Sequence, residues 1–234
     1  MPNSDGRPRV LMRTVLPALA LTLTNVAVGR ALVARSAQEE RTIRRLQRMR
    51  TPARDRVARV VSTVSDVPAS VGIAAVSIPV LRGLGLPWRR ALAPALAMAL
   101  ETVVYLAAGF AVKRPRPAVP RLDRDQPTPS FPSGHVGANV ALLVVAGRLA
   151  ADLRSPLARG LVQALGVGYP AALAPARVYV GMHYPSDVIA GVVNGVVCGL
   201  LAWDALGREP TPDDPVRGAG GQWSMSVRKS TKDG

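Results

Sequence analysis

Long apolar runs separated by charged stretches dominate the chain. Six of them, at about 13–33, 60–81, 90–112, 134–151, 160–178 and 187–206, reach the roughly 17 to 25 residues that a bilayer-crossing helix needs. The pattern predicts an all-α integral membrane bundle of about six transmembrane helices over residues 13–206. The first run is interrupted by Asn25 and Arg30. Its start, with Arg7, Arg9 and Arg13 ahead of the apolar residues, also fits a leader cleaved near Ala34. The later runs favour a retained helix, because such proteins are usually inserted by their first helix. The fifth run holds Pro170 and Pro175, which are tolerated where neighbouring helices satisfy the freed backbone groups. Spacings such as Gly191-Val192-Val193-Asn194-Gly195 let two helices approach closely.

The polar stretches differ among themselves. Residues 35–59 carry nine arginines together with Glu39, Glu40 and Asp55, in the pattern of an amphipathic helix lying on a surface. A solvated connection and a contact with anionic headgroups both fit this basic segment. Residues 1–12 read as a flexible N-terminus, and residues 207–234, rich in Gly, Pro and charge with no apolar period, read as disordered. Six spans put both ends on one side with loops 82–89 and 152–159, and put 35–59, 113–133 and 179–186 on the other. Positive charge is nearly balanced between the sides, so it sets no orientation.

Composition narrows the partners. The 234 residues suffice for one compact bundle, and the 48% hydrophobic content is Ala, Val and Leu, with only 4% aromatic. A net charge of +15 fits nucleic acid, anionic lipid or phosphorylated substrates. The basic residues lie between apolar runs without stacking aromatics, which argues against nucleic acid and leaves anionic lipid or a phosphorylated substrate open. Nothing in the pattern sets an oligomeric state. The single cysteine, Cys198, gives no disulfide framework and sits in an apolar run as a small hydrophobe.

The unusual chemistry gathers on the side of loops 113–133 and 179–186. Three stretches lie there: Val112 to Asp123 (VKRPRPAVPRLD), Pro129 to His135 (PSFPSGH) and Ala176 to Asp187 (ARVYVGMHYPSD). They hold both histidines of the chain. Ser133-Gly134-His135 stands where a helix starts, and the first N–H groups of a helix point outward and favour an anion. Gly134 allows close approach, and Ser133 either caps the helix or donates to a ligand. His183 and Asp187 are four apart, so the carboxylate can fix the imidazole tautomer and raise the nucleophilicity of its far nitrogen. Such an imidazole can attack phosphorus. Arg114, Arg116 and Arg177 offer planar forks for phosphate oxygens, with Lys113 beside them. Two His and one Asp also suit zinc on paper, but arginines at the same place repel a cation. Inside the spans, Asp66, Glu101 and Asn194 are functional candidates by default. Glu101 is positioned to pair with an arginine of the site, whereas Asn194 reads as an interhelical hydrogen bond.

Taken together, these stretches resemble the three signature motifs of the type 2 phosphatidic acid phosphatase family, which shares its active site with vanadium haloperoxidases and glucose-6-phosphatase. Pro132-Ser133-Gly134-His135 matches the second motif whole, Arg177, His183 and Asp187 match the third with its spacing intact, and Arg116-Pro117 matches the end of the first. The resemblance spans about residues 100–205. It implies a lipid phosphatase that uses no metal or other cofactor. In it, His183 attacks phosphorus, Asp187 orients it, and Arg116, Arg177, Ser133 and the Gly134 N–H hold the phosphate oxygens. His135 protonates the leaving oxygen and then activates water. It also implies a bacterial cell membrane, with the site on the extracytoplasmic side. Two positions depart: the family lysine is Gly109 here, with Lys113 or Arg114 as nearby substitutes, and the family serine before Arg177 is Ala176. These losses suit a second reading, a non-catalytic scaffold binding anionic headgroups through its arginine-rich loop. Intact His183, Asp187 and His135 favour the enzyme, and the apolar spans disfavour a haloperoxidase-like use of the pocket.

Overall fold

The structure is a computed structural model that describes residues 11–124 and 126–208. The expected C-terminal tail beyond residue 208 and residues 1–10 of the N-terminus lie outside the described residues. Among those described there are helices and no strands. They are α1 (Leu16–Val33, entered through a π turn, Leu11–Val15), α2 (Ser36–Gln47), α3 (Pro52–Val64), α4 (Val67–Gly83), α5 (Trp88–Val112), α6 (Gly134–Ala150), α7 (Pro156–Tyr179) and α8 (Pro185–Ala202, followed by a π turn, Trp203–Gly207).

By length and composition α1, α5 and α8 are each able to cross a membrane, and α3 and α4 make a further span if the bent pair counts as one. The pair is bent by 46°, at a break beside Asp66, which interrupts the run expected to be continuous over 60–81. The other two members of the expected six are less membrane-like for physical reasons. Helix α6 is apolar but has only 17 residues, about 25 Å at 1.5 Å per residue. It packs against α8, α5, α7 and α4 and so has little lipid to face. Helix α7 carries Arg159, Gln163 and Arg177 along its apolar residues.

The segment 35–59 is not one surface helix but two short ones. Helix α2 turns Ile43, fully buried, toward the bundle, with Arg41, Arg45 and Arg48 outside. Thr51 then caps α3, its side chain accepting from the Arg54 N–H at 3.2 Å.

Helix α8 lies close on α6, and the glycine spacing explains it. A Cβ at Gly191 would meet the Ser133 carbonyl oxygen at 2.5 Å, and one at Gly199 would lie 2.8 Å from Val144 Cβ. Gly195 packs its bare Cα on the Gly137 carbonyl. Three glycines four residues apart thus remove the side chains that would hold the helices apart. This brings the N-termini of α6 and α8 together, with the Ser133 N–H donating to the Asp187 carbonyl at 2.9 Å. In α1, Asn25 donates to Asn194 of α8 at 2.8 Å, so the polar residue that interrupts the first run ties it to the bundle.

Candidate active site

Two turns and one loop build the site at the end of the bundle where α6 and α8 begin. Helix α5 stops at Lys113, whose left-handed backbone (φ 55°) lets its N–H bond the Gly109 carbonyl at 2.8 Å. The chain then crosses the bundle end through residues 114–133, pinned by Ser130 N–H to the Arg114 carbonyl at 2.9 Å and Leu122 N–H to the Val180 carbonyl at 3.0 Å. After α7, Gly181 takes φ 79° and sits against the Pro120 carbonyl, where a side chain would collide. That reversal delivers His183 just ahead of α8.

His183 is 1% exposed, and its Nδ1 lies 2.8 Å from the Ser130 carbonyl oxygen. A carbonyl only accepts, so Nδ1 carries the proton and Nε2 presents a lone pair. Asp187 Oδ2 is 3.9 Å from Nδ1, too far for a hydrogen bond. The direct Asp187 contact expected from the spacing is therefore replaced by the Ser130 carbonyl. Asp187 instead accepts from the Ser130 hydroxyl and from the Tyr184 N–H at 2.9 Å, and so fixes the segment on either side of the imidazole. Burial first, then the charges of Arg177 and Arg116 and of His135, hold the His183 imidazole well below its ordinary pKa. The Ser133 N–H bond to the Asp187 carbonyl at 2.9 Å and the 3.5 Å contact of Arg116 Nη1 with His183 Nε2 bring the starts of α6 and α8 and Arg116 together.

The arginines divide into two kinds. Arg116 is half-buried, donating to Met182 O at 2.8 Å and Thr128 O at 3.2 Å, with Nη1 3.5 Å from His183 Nε2. Burial and then Arg177 lower its pKa to about 10, which leaves it charged at neutral pH. Arg177 is fully buried. Its Nη1 donates to Ser62 Oγ and, at 2.7 Å, to Asp123 Oδ2, while its Nε and Nη2 have no hydrogen-bond partner among the described residues. Burial tends to raise the Asp123 pKa, but the Arg124 N–H, the Arg177 charge and the Ser62 hydroxyl more than offset it and hold Asp123 as a carboxylate. Ser133 is buried at the start of α6 but makes no cap hydrogen bond, and its hydroxyl too lacks a partner. His135, one residue into α6, has Nε2 3.4 Å from Asp66 Oδ1. Unpartnered buried donors are rare in folded proteins, and here three N–H bonds of Arg177 and the Ser133 hydroxyl are left without partners among the described residues.

Arg114 is different. Its Nε donates to Ser36 Oγ (3.2 Å), Nη1 to Ser186 Oγ (2.7 Å) and Asp187 Oδ1 (2.6 Å), and Nη2 to Leu32 O (3.1 Å) and Glu39 Oε1 (2.9 Å). All five donors are occupied, and the guanidinium also stacks 3.9 Å from the Tyr184 ring centroid. It has nothing left for a phosphate, so its expected substrate contact is corrected to a structural one. Lys113 is exposed at the end of α5, and Arg114 has no donor free to stand in for the missing family lysine. At Gly109 a Cβ would lie 3.2 Å from the Phe131 carbonyl, too tight for a lysine without a shift. Ala176 packs with Ala58, Tyr179 and Met182. Among the described residues Glu101 pairs with no arginine, and its Oε1 has no hydrogen-bond partner. The reading of the residues missed Ser62, Asp123, Thr128 and Ser130. Each is a lone polar residue in a loop or at a helix face, and the Ser130 contribution is a main-chain carbonyl, which no side-chain pattern announces.

The match to known proteins decides the family. The model of the PAP2 superfamily matches residues 90–210, just over half of the chain. The chain belongs to the PAP2 superfamily. A PAP2-type phosphatidylglycerolphosphate phosphatase from Bacillus subtilis shares its fold, with a TM-score of 0.69 at 19% identity over 80% of this chain and 94% of that one. LpxE of Aquifex aeolicus superposes with a TM-score of 0.55 at 20% identity, over 70% of this chain and 93% of that one. At these identities both show the fold alone. A decaprenylphosphoryl-5-phosphoribose phosphatase of Mycobacterium tuberculosis is 33% identical over 103 residues, 41% of this chain and 49% of that protein. The chain thus spans about half the length of the curated relatives it matches. The PAP2 match begins in α5 and covers every side chain placed around His183 except Ser62 and Asp66, which α3 and its junction with α4 supply.

Proposed function

We propose that this protein is a membrane phosphatase that removes a phosphate from a lipid phosphate or polyprenyl (di)phosphate through a phosphohistidine on His183. The observation that carries the reading is the set of unfilled buried donors on Arg177 and Ser133, next to a histidine whose Nδ1 proton leaves Nε2 as the nucleophile. Those donors, with Arg116 and the α6 N-terminus, form a positive, hydrogen-bonding cradle suited to the equatorial oxygens of a phosphoryl group.

In the first step the Nε2–P bond forms as the P–O bond to the leaving group breaks. His135, whose Nε2 lies 3.4 Å from Asp66 Oδ1, takes up a proton as the phosphate anion binds and gives it to the departing oxygen. In the second step neutral His135 takes a proton from water, the water oxygen bonds to phosphorus, and the Nε2–P bond breaks to free inorganic phosphate. Asp187 is a positioning residue in this scheme, acting through Ser130 and Tyr184. The relatives support a lipid-linked substrate: their names specify a phosphatidylglycerolphosphate and a decaprenylphosphoryl phosphoribose. In this reading the site faces the extracytoplasmic side and uses no metal.

The test is phosphate release from a panel of lipid phosphates by the detergent-purified protein with chelator present. Release that is lost in His183→Ala supports the phosphatase. No release from any member, with anionic lipid binding unchanged in His183→Ala, supports the scaffold instead.

A further inference from the structure

Between α2, α3 and α7 lies a groove of about 470 Å³, within the size range of ligand sites. Leu46 and Met49 of α2, Val57 and Val61 of α3, and Pro175 and Tyr179 of α7 line it. The rest of the lining is alanine, apart from one cation, Arg54. Met49 and Val57 are each more than half exposed, so the groove opens outward. Arg116, Arg177, His135 and His183 do not line it, so it is a different space from the phosphate cradle.

Its position suits lipid headgroups. Helix α2 begins three residues after α1, which is able to cross a membrane. Arg114 ties the two together, donating to Leu32 O near the end of α1 and to Ser36 Oγ at the start of α2. With α1 in a bilayer, α2 therefore starts at its edge. The charge is sorted to match. Residues 35–59 hold nine arginines and three acidic residues. All three acids are engaged by the protein: Glu39 by Arg114 and the Ser186 N–H, Glu40 by the Ala118 N–H and the Tyr184 hydroxyl, and Asp55 by Arg50 and the Tyr179 hydroxyl. Arg41, Arg45 and Arg48 are exposed and make no ion pair or side-chain hydrogen bond among the described residues. At about 100° per residue they fall within about 60° of one another, on the side of α2 opposite buried Ile43. A cationic stripe alone is ordinarily just solvated. Beside an open apolar groove at a bilayer edge, it completes the two halves of a phospholipid site.

We propose that the α2–α3 elbow binds an anionic phospholipid of the surrounding bilayer, as a ligand that is not hydrolysed. One acyl chain lies in the groove. The headgroup phosphate meets Arg54, and the Arg41, Arg45 and Arg48 stripe supplies the surrounding positive field. A zwitterionic lipid fits the groove but gains little from the stripe. The occupant bridges α2, α3 and α7, so its signature is added stability. The inference goes beyond the phosphatase reading and does not rest on it.

The test adds phosphatidylserine or phosphatidylcholine with identical acyl chains to the detergent-purified protein and reads the melting temperature. At about ten times its Kd, phosphatidylserine should raise it by about 3 to 6 °C, and phosphatidylcholine at the same concentration by much less. Arg41→Gln, Arg45→Gln and Arg48→Gln together should weaken phosphatidylserine about 10²-fold and abolish the difference between the lipids. Lysine at the same three positions keeps the charge and should retain it. Ala172→Trp, which sets a ring into the groove, should also abolish it with every arginine in place. Equal shifts from the two lipids overturn the proposal, as does a phosphatidylserine-specific shift that survives the glutamine variant or Ala172→Trp. If Ala172→Trp keeps that shift and slows release from a lipid phosphate but not from p-nitrophenyl phosphate, the groove holds the tail of the substrate and the proposal falls. The shifts are read without turnover, so a protein that releases no phosphate still decides it. Its failure leaves His183-dependent release untouched.

Discussion

Two arginine sites, Arg114 with Asp187 and Glu39 and Arg177 with Asp123, follow opposite rules. Around Arg114 every donor is spent: five N–H bonds meet five acceptors from α1, α2 and α8, and Tyr184 covers the face. Around Arg177 the fork is half spent: Ser62 and Asp123 take Nη1, and Nε and Nη2 are left open, as is the Ser133 hydroxyl. Both guanidinium groups are fully buried, so burial alone does not separate them. Saturation does. A saturated buried cation holds helices together, and an unsaturated one holds its donors ready for an anion from outside.

The contrast is broken most severely at Arg114. Arg114→Ala leaves buried Asp187 and half-buried Glu39 without their cation, and about 3 to 5 kcal/mol of stability should be lost. A large fall in melting temperature in detergent, with poor yield, checks this; a melting point like that of the wild type would show the network to be dispensable. Arg177→Lys should do the reverse. It keeps a charge near Asp123 but removes the open fork, so kcat/KM for phosphate release should fall about 10² to 10³-fold. The melting temperature should move only slightly.

Ser133→Ala sharpens the distinction. A capping serine replaced by alanine typically costs about 0.5 to 2 kcal/mol, but Ser133 makes no cap bond. Its loss should leave stability nearly unchanged while reducing kcat/KM about tenfold, as removal of one donor to the phosphate. Unchanged activity with lost stability would make it an ordinary cap.

The smallest effect is on pH. Because burial and the neighbouring guanidinium charges depress the His183 pKa, the nucleophile stays unprotonated as pH falls from 8 through the ordinary imidazole range. Single-turnover formation of phosphoenzyme from p-nitrophenyl phosphate, corrected for ionisation of the ester, should stay within about twofold between pH 8 and 6. Protonation at an ordinary value near 6.5 would appear as a clear acid limb.

The same comparison explains what was legible in the sequence. Ser133, His135, Arg177 and His183 stand at fixed distances from helix starts and from one another, so short-range spacing carried them. The bundle was legible because apolar runs report burial or lipid directly. Arg114 was misread because Arg-Pro-Arg-Pro says that two cations sit in a stiff segment, not which way each turns. That is decided by Glu39, 75 residues away, and by Asp187, 73 residues away. Asp123 and Ser62 were silent for the same reason: each becomes part of the site only through Arg177, on another helix. The count of spans shifted because α6 is short and enclosed, and because α7 carries Arg159, Gln163 and a buried Arg177 among its apolar residues.

The central claim is that His183 Nε2 becomes bonded to phosphorus. In the proposed mechanism His135→Ala removes the group that activates water, so with a good leaving group such as p-nitrophenolate the first step should outrun the second. Rapid quench at alkaline pH followed by intact and peptide mass spectrometry should find one phosphate on the peptide containing His183, absent from a His135→Ala, His183→Ala double variant. A phosphate on any other residue, or turnover with no phosphoenzyme and undiminished release in His183→Ala, would contradict the account.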